Sequence, residues 1–347
     1  MAASTPARVQ QANPAQTGRE LNLLCFDGGG VRGLSSLYIL KHLMEMIDVD
    51  NPPRPCEYFD MIAGTSTGGL IAIMLGRLGM SVAECIDAYE KLLPSIFTKE
   101  HHRLKINGKF QGRFNHKALE KGVKDLLRDR GMSEDALMLD NRTGEGSCKT
   151  FVCATSSAVS RTVILSSYVN RLRGRDLADI AQIWQVARAT SAATSFFDPV
   201  KIGHEEFVDG ATPANNPVME LWAEASQVVG AGDDWKLESN LSCLVSIGTG
   251  VPPLGEFGDD PLAVSARLRQ IATDSEKTAR NFEALHGALC KTRQYFRFNV
   301  MNGLQNVKLE DEAKLPLIKS ATRDYTVTRV VQGEMRECSE KLSSTRG

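Results

Sequence analysis

Two apolar runs that each end in a glycine-rich turn constrain the fold of this chain most. Leu21–Phe26 leads into DGGG at 27–30, and Tyr58–Ala63 leads into GTSTGG at 64–69. Short apolar runs bounded by glycine are typical of buried strands. Helical periodicity follows each turn, in Leu34–Ile47 and in Leu70–Leu78. The sequence therefore opens with two strand–turn–helix units, which are the building blocks of an α/β protein.

The rest of the chain continues this alternation. We predict further strands at Thr150–Ala154, Val163–Tyr168, Glu206–Val208 and Leu241–Ile247. We predict helices near Val82–Leu93, from an Asn115 N-cap to about Arg128, at Asp176–Ala193 and at Thr326–Leu342. Together these elements predict a three-layer α/β/α fold with a largely parallel central sheet. Both glycine turns would then lie at the carboxyl ends of strands, where ligands of such sheets bind.

Composition narrows the classes of protein that this chain can belong to. The formal net charge of its 347 residues is −1, so no global charge favours nucleic acid. No run approaches the roughly 18 apolar residues of a membrane span. The first 20 residues lack an apolar core, which excludes a secretory signal. Of eight cysteines, three (Cys25, Cys153 and Cys243) lie in predicted strands, where cysteine acts as a small apolar residue. We therefore expect a cytoplasmic protein that meets membranes only at their surface.

Ser66 lies at the centre of a G-x-S-x-G pattern in GTSTG, residues 64–68. The pattern alone occurs by chance, but here an apolar strand precedes it and a helix follows it. That context is typical of a nucleophile elbow, in which a sharp turn lifts the serine hydroxyl to a helix N-terminus. The alternative is an ordinary turn of serine and glycine. The context favours a nucleophilic Ser66.

The second glycine turn, DGGGVRG at 27–33, has the character of an anion-binding loop. Backbone N–H groups of Gly28, Gly29 and Gly30 can face an oxygen anion, and a helix start adds its dipole. The loop lacks the G-x-x-x-x-G-K-[ST] pattern of a phosphate-binding loop, which disfavours nucleotide binding. A plain tight turn is the other alternative. Arg32 either supports the loop or forms a surface ion pair.

A nucleophilic serine needs a base. The six histidines lie at positions 42, 101, 102, 116, 204 and 286, and none of them follows a strand in a glycine turn. By contrast, Asp209 follows a short apolar strand and precedes Gly210, as Ser66 and Gly28 do at their own strands. An aspartate here is commonly a helix N-cap or a turn residue. Combined with the two glycine turns, Asp209 becomes the candidate base.

These motifs together resemble the patatin-like phospholipases. The resemblance rests on DGGGVRG at 27–33, GTSTGG at 64–69, ARATSAATSFF at 187–197 and VDGATPANNPV at 208–218, in the order of the family. It covers the chain from about Leu21 to Gly250. The family usually has a proline where this chain has Thr194, in a segment that we take to be structural.

The resemblance implies a lipid acyl hydrolase that works without calcium, another metal or a cofactor. Ser66 would be the nucleophile and Asp209 its partner in a Ser-Asp dyad. Gly28, Gly29 and Gly30 would form the oxyanion hole with Arg32 beside it. The substrates would be phospholipids or lysophospholipids at a membrane surface, cleaved by a phospholipase A or lysophospholipase reaction.

Three other readings stay open at this point. An acyltransferase would use the same acyl-enzyme with an alcohol in place of water. A catalytic effector module would await a regulatory partner, a homo-oligomer or a larger signalling assembly. A non-catalytic binding module is disfavoured because every expected catalytic element is present.

We divide the chain into a flexible tail (1–20), a catalytic domain (21–298) and a mainly helical extension packed on that domain (299–347).

Residues 94–117 combine basic side chains with three phenylalanines, at 97, 110 and 114. Such a mixture suits an interfacial segment or a lid, since phenylalanine enters lipid while cations meet anionic headgroups. A solvated basic loop whose phenylalanines pack inward is the alternative.

Overall fold

A computed structural model describes residues 19–97, 114–141, 147–193, 197–229, 234–251 and 263–346 of the chain. The predicted tail therefore lies outside the described residues except for its last two, and so do Thr194 and most of the segment 94–117. Within the described part, no helix is both long enough and apolar enough to cross a bilayer.

The centre of the molecule is a mixed sheet. Its strands are β1 (Leu21–Phe26), β2 (Met61–Thr65), β3 (Lys149–Ser156), β4 (Thr162–Ser166), β5 (Val200–Ile202), β6 (Glu205–Asp209), β7 (Leu241–Ile247) and β8 (Tyr295–Phe298). They lie in the order β5-β6-β3-β2-β1-β7-β8, and β4 also pairs with β3. The five strands from β3 to β8 are parallel, whereas β4, β5 and β6 form antiparallel pairs at one side. This confirms the predicted largely parallel sheet.

Helices cover both faces of the sheet. They are α1 (Gly33–Ile47), α2 (Pro55–Tyr58), α3 (Thr67–Ala72), α4 (Val82–Ile96), α5 (His116–Asp129), α6 (Ile183–Ser191), α7 (Ala211–Ala214), α8 (Val218–Val228), α9 (Ala263–Leu285), α10 (Gly287–Lys291), α11 (Leu315–Thr326) and α12 (Arg329–Ser344). Side chains of β1 alternate between the two faces. Leu24 and Phe26 pack with residues of α1, α4 and α12, whereas Leu23 and Cys25 pack with residues of α8 and α10. The three-layer architecture is thereby confirmed.

Several predicted boundaries were wrong. The helix predicted at Asp176–Ala193 begins only at Ile183, with Gln182 in extended conformation before it. Tyr58 ends a one-turn helix instead of opening a strand. The strands β5 and β8 were missed because three or four residues are too short to show an alternating pattern. By contrast, Asn115 does cap α5, and its side chain accepts a hydrogen bond from the N–H of Lys117.

The C-terminal helices lie against the first helix of the chain. Both α11 and α12 pack on α1, which directly follows the glycine loop. Thr322 of α11 donates from its hydroxyl to Ser35 Oγ of α1, at 2.8 Å. The loop at residue 309, before α11, reaches the glycine turn itself: the N–H of Val31 donates to the carbonyl oxygen of Leu309, at 2.8 Å. Residues beyond 298 therefore contribute to the surroundings of the candidate site.

Candidate active site

The pairing of β3 explains how Ser66 and Asp209, 143 positions apart, come together. Strand β4 occupies one edge of β3, where its partners include Cys153 and Ala154. Strands β2 and β6 must therefore share the other edge. On it, Thr65 at the end of β2 pairs with Cys153, and Asp209 at the end of β6 pairs with Ala154. Because β2 runs parallel and β6 antiparallel to β3, their carboxyl ends point at each other.

The two side chains meet at this junction. The hydroxyl of Ser66 donates a hydrogen bond to Oδ2 of Asp209, at 2.7 Å. The other carboxylate oxygen, Oδ1, accepts from the N–H of Ala211 at 2.8 Å. Asp209 is buried, with 6% of its surface exposed. A carboxylate within hydrogen-bond distance of a serine hydroxyl can accept its proton when the serine attacks.

Ser66 has the backbone of a strained elbow. Its φ and ψ are 57° and −128°, which is uncommon for a residue with a side chain. The turn closes so tightly that a Cβ atom on Gly64 would lie 2.1 Å from the carbonyl oxygen of Gly68. The N–H of Ser66 donates to Oγ1 of Thr190 in α6, at 2.9 Å. The strain is thus held in place by a glycine contact and by a neighbouring helix.

The glycine loop beside Ser66 has fewer open amides than the sequence predicted. The N–H of Gly28 donates to the carbonyl oxygen of Asn215 at 3.1 Å. The N–H of Gly29 donates to Oγ1 of Thr67 at 3.2 Å. The N–H of Gly30 forms no hydrogen bond with any described residue. In this conformation Gly30 is the donor that the loop can offer to an oxygen anion.

Arg32 does not form the surface ion pair that we considered. Its side chain is 4% exposed, and its Nε has no hydrogen-bond partner in the described part of the chain. Burial lowers the pKa of the guanidinium to about 10. Within the described residues no carboxylate forms an ion pair with it, and a buried cation that has lost its hydration is costly. Arg32 therefore places a buried positive charge within the glycine loop, two positions after Gly30.

A buried ion pair holds the start of the same loop. Both terminal guanidinium nitrogens of Arg297, in β8, donate to the carboxylate of Asp27, at 2.9 and 2.6 Å. Arg297 also donates to Glu276 in α9, at 2.7 Å. The side chains of Asp27 and Arg297 are 2% and 9% exposed. A bidentate ion pair in the interior fixes the position and orientation of the Asp27 carboxylate, and with it the start of the loop.

A narrow apolar cavity of about 40 Å³ opens beside Ser66. Its walls come from α4, α5, the glycine loop and the loop before α11. They are formed by Gly30, Ser66, Thr67, Leu70, Tyr89, Leu92, Leu93, Ile96, Phe97, Leu119, Ser191, Ala193, Phe197 and Leu309. The lining suits a hydrocarbon chain.

Two of the three phenylalanines in the segment 94–117 belong to this apolar region. The rings of Phe97 and Phe114 meet edge to face with centroids 5.4 Å apart. Phe114 is 2% exposed and also contacts Phe197. For these two residues the structure agrees with inward packing. Phe110 and the basic residues between 99 and 113 lie outside the described residues.

The four described histidines have other surroundings. The ring of His286 packs at a tilt against Trp222 and Phe282, with ring centroids 4.3 and 4.5 Å away. His116 lies 3.4 Å from a carboxylate oxygen of Asp198. His42 contacts Gln332, and His204 is exposed in the turn between β5 and β6. Each of these positions has a local structural explanation.

Sequence reasoning missed four residues that shape the site: Thr67, Tyr89, Thr190 and Asn215. Asn215 donates from its side chain to the carbonyl oxygen of Gly28 and to Oγ of Ser275, at 3.3 and 2.6 Å. Thr190 links the elbow to β3 by donating to the carbonyl oxygen of Cys153, at 2.8 Å. Three of the four lie in the quoted motif stretches, Thr67 in 64–69, Thr190 in 187–197 and Asn215 in 208–218, so the motifs did carry their signal. Tyr89 had none, since it lies in an ordinary amphipathic helix.

The fold and the site define an α/β protein with a serine and an aspartate hydrogen-bonded at the carboxyl ends of its strands. The model of the patatin-like phospholipase family matches residues 24–222. That range includes the glycine loop, the elbow and Asp209. The chain therefore belongs to the patatin-like phospholipase family.

Three relatives illustrate its place in the family. Calcium-independent phospholipase A2-gamma of Mus musculus is 29% identical over 85% of this chain and 36% of its own length. Phospholipase A I of Arabidopsis thaliana is 26% identical over 84% of this chain and 25% of its own length. Patatin-like phospholipase 1 of Plasmodium falciparum is 25% identical over 94% and 50%. The chain thus spans half or less of each relative.

Proposed function

We propose that this chain hydrolyses fatty acyl esters of membrane phospholipids or lysophospholipids, with Ser66 as nucleophile and Asp209 as base. The hydrogen bond of 2.7 Å from Ser66 Oγ to Asp209 Oδ2 carries the proposal. Family membership and relatives that are named phospholipases support a lipid substrate. The apolar lining of the cavity beside Ser66 supports a fatty acyl chain as the group that enters it.

In the first half of the reaction, Ser66 Oγ attacks the acyl carbonyl carbon and its proton passes to Asp209. The tetrahedral intermediate carries its negative charge on the former carbonyl oxygen. When this intermediate collapses, the C–O bond to the glycerol backbone breaks, and the leaving alkoxide takes the proton from Asp209. An acyl ester on Ser66 and a free lysolipid or glycerol derivative remain.

In the second half, water attacks the acyl-enzyme and gives its proton to Asp209. The second tetrahedral intermediate expels Ser66, which regains that proton. The fatty acid is released, and both residues return to their starting state. Asp209 is 6% exposed, so little bulk water competes for the carboxylate that takes the proton.

The charge on the two intermediates needs hydrogen-bond donors fixed in advance. The N–H of Gly30 is the donor of the glycine loop that is not already used within the described residues. Gly28 and Gly29 would keep the loop in shape through their bonds to Asn215 and Thr67. The buried charge of Arg32 would add a favourable potential for the oxyanion.

The cavity lies between α4, α5 and the loop at Leu309, so an acyl chain would enter along these walls. The basic and aromatic segment 94–117, which follows α4 along the chain, would be the part that meets the lipid.

Mass spectrometry of liposomes of mixed lipids after incubation with the purified chain tests the proposal. We expect free fatty acid and lysolipid from the wild type, with or without a calcium chelator, and neither product from Ser66→Ala. Ser343→Ala, at an exposed helix position, is the matched control and should keep full activity. Products that persist in Ser66→Ala would refute the role of Ser66. A new ester formed with added glycerol would identify acyl transfer as the reaction.

A further inference from the structure

The peptide between Gly30 and Val31 is held at both of its polar ends. The hydroxyl of Tyr89, in α4, donates to the carbonyl oxygen of Gly30 at 2.7 Å. The N–H of Val31 donates to the carbonyl oxygen of Leu309 at 2.8 Å. A peptide plane that is bonded on both sides cannot turn about its neighbouring torsions. The backbone of Gly30 is thus fixed in its left-handed conformation, with φ of 57°.

The direction of the Gly30 N–H depends on this clamp. That N–H belongs to the preceding peptide, whose carbonyl, on Gly29, accepts from the N–H of Arg32 at 3.2 Å. With Gly30 fixed on one side and Gly29 on the other, the N–H keeps one orientation. A donor that is already oriented costs no reorganisation when charge develops on the substrate.

The last glycine of DGGGVRG makes room for the tyrosine. A Cβ atom on Gly33 would lie 2.4 Å from the hydroxyl oxygen of Tyr89 and 3.1 Å from Cζ. Gly33 itself has an ordinary helical φ of −56°. Backbone conformation therefore does not require glycine at this position. Glycine is required because a side chain would occupy the space of the Tyr89 hydroxyl.

The hydroxyl of Tyr89 is also kept in its neutral, donating form. Tyr89 is 1% exposed. Burial raises the pKa of its phenol, and a side-chain hydrogen bond with Thr67 opposes that effect only in part. The same Thr67 accepts from the N–H of Gly29. Tyr89 and Thr67 thus form one small polar group behind the loop, inside an otherwise apolar wall.

We infer that Tyr89 is a positioning residue, which orients the Gly30 N–H as oxyanion donor through the Gly30 carbonyl. This role rests on the proposed function, because it assigns a task to the loop in the same reaction. Tyr89 lines the cavity, but its hydroxyl donates to the backbone of the loop and so does not donate to the substrate. Its contribution is therefore to the rate of the chemical step rather than to substrate binding.

Tyr89→Phe tests the inference, since phenylalanine keeps the ring and removes only the hydroxyl. We expect kcat on a soluble short-chain ester to fall on the order of ten-fold while KM changes little. A trifluoromethyl ketone, which forms a tetrahedral adduct with a nucleophilic serine, should bind more weakly by the same factor. Tyr38→Phe is the matched control, because the Tyr38 hydroxyl, in α1, donates to the carboxylate of Glu90, the neighbour of Tyr89 in α4, at 3.5 Å. It should leave both quantities unchanged.

Gly33→Ala provides a second route to the same effect. The added methyl group should displace the hydroxyl and lower kcat and inhibitor affinity in the Tyr89 background. In the Tyr89→Phe background it should cost much less, because the atom it would strike is gone, so the two changes are not additive. Equal cost in both backgrounds would overturn the inference. So would wild-type kcat and inhibitor affinity in either single variant.

The outcome is separable from that of the proposed function. If Ser66→Ala stays active, the proposed function fails whatever Tyr89 does. If Ser66→Ala is inactive and Tyr89→Phe has full activity, the positioning role fails alone. Should Tyr89→Phe not fold, the Gly33→Ala variant decides, because its helix start tolerates alanine.

Discussion

The elbow at Ser66 and the glycine loop at 27–33 lie next to each other at the ends of β2 and β1, yet they are held in different ways. The elbow is closed by atoms close in sequence, since Gly64 packs on Gly68 and the carbonyl of Ser66 accepts from the N–H of Gly69; one remote hydrogen bond, from the N–H of Ser66 to Thr190, adds to this. The loop is fixed by side chains from far away. Its bonds to Tyr89, Thr249 and Arg297 span 59, 221 and 270 positions.

This difference predicts how each part of the site responds to substitution. In the short turn any added atom must displace backbone, so we expect a single substitution to remove the activity completely. Remote hydrogen bonds and ion pairs act one at a time, so their loss should reduce activity in steps. The predictions below separate these two behaviours, from the largest expected effect to the smallest.

Gly64→Ala should abolish activity. The new Cβ would lie 2.1 Å from the carbonyl oxygen of Gly68, so the turn that presents Ser66 must open. We expect loss of hydrolysis and of labelling by a fluorophosphonate probe, together with a lower midpoint of thermal unfolding. Gly287→Ala, where an added Cβ meets nothing within 4 Å, is the control and should be silent. An active Gly64→Ala enzyme would contradict the steric account of the elbow.

Arg297→Gln should lower the stability by about 3–5 kcal/mol, since it leaves the buried carboxylate of Asp27 and the half-buried one of Glu276 without their cation. Activity should fall with it, because Asp27 opens the glycine loop. Urea unfolding measures the loss of stability. Ester hydrolysis at urea concentrations below the unfolding transition measures the loss of activity. Arg175→Gln removes an exposed ion pair with Asp179 and should cost less than about 1 kcal/mol. A loss in Arg297→Gln no greater than that would show that the buried pair does not hold the loop.

Arg32→Met should separate stability from activity. Removing a buried guanidinium that has no ion-pair partner among the described residues should raise the free energy of unfolding by roughly 1–2 kcal/mol. The rate should fall by about ten-fold if the charge helps to stabilise the oxyanion. In the wild type this charge is lost as the pH rises through about 10, so its rate advantage over Arg32→Met should shrink above that pH. Lower stability in Arg32→Met, or an advantage that persists, would contradict the account.

Thr249→Val should have the smallest effect. Its hydroxyl donates to the carbonyl oxygen of Gly28 at 3.0 Å, but Asn215 donates to the same oxygen. Losing one of two donors should reduce kcat by about two- to five-fold, equivalent to at most about 1 kcal/mol. Thr292→Val, at an exposed position, is the control. A loss as large as that in Gly64→Ala would erase the proposed distinction between the turn and the loop.

The contrast also explains what the sequence could predict. Apolar runs such as Leu241–Ile247 and the cap at Asn115 are local signals, and both were predicted correctly. So were the three-layer fold and the largely parallel sheet, because alternating strands and helices have few other arrangements. The start of α6 at Ile183 was missed because the apolar periodicity runs on through residues that form turns.

The site followed the same rule. Ser66 and Asp209 could be singled out, since each follows a strand and is flanked by glycine. Which loop amide is open could not be predicted, because that depends on Asn215 and Thr67. The roles of Tyr89 and Leu309 could not be predicted either. Their contacts with Gly30 and Val31 join distant parts of the chain, and no local sequence pattern marks them.

The central claim is that Asp209, and no histidine, is the base for Ser66. The most direct measurement compares kcat of Asp209→Asn with kcat of His286→Ala and His204→Ala, after circular dichroism shows that each is folded. Asparagine keeps the shape of the side chain and loses the basic oxygen, so we expect a fall on the order of 10²-fold or more. The two histidine variants should keep most of the activity, because His286 packs at a tilt against Trp222 and His204 is exposed in a turn. Near-normal activity in Asp209→Asn, or a histidine variant as inactive as Ser66→Ala, would contradict the account.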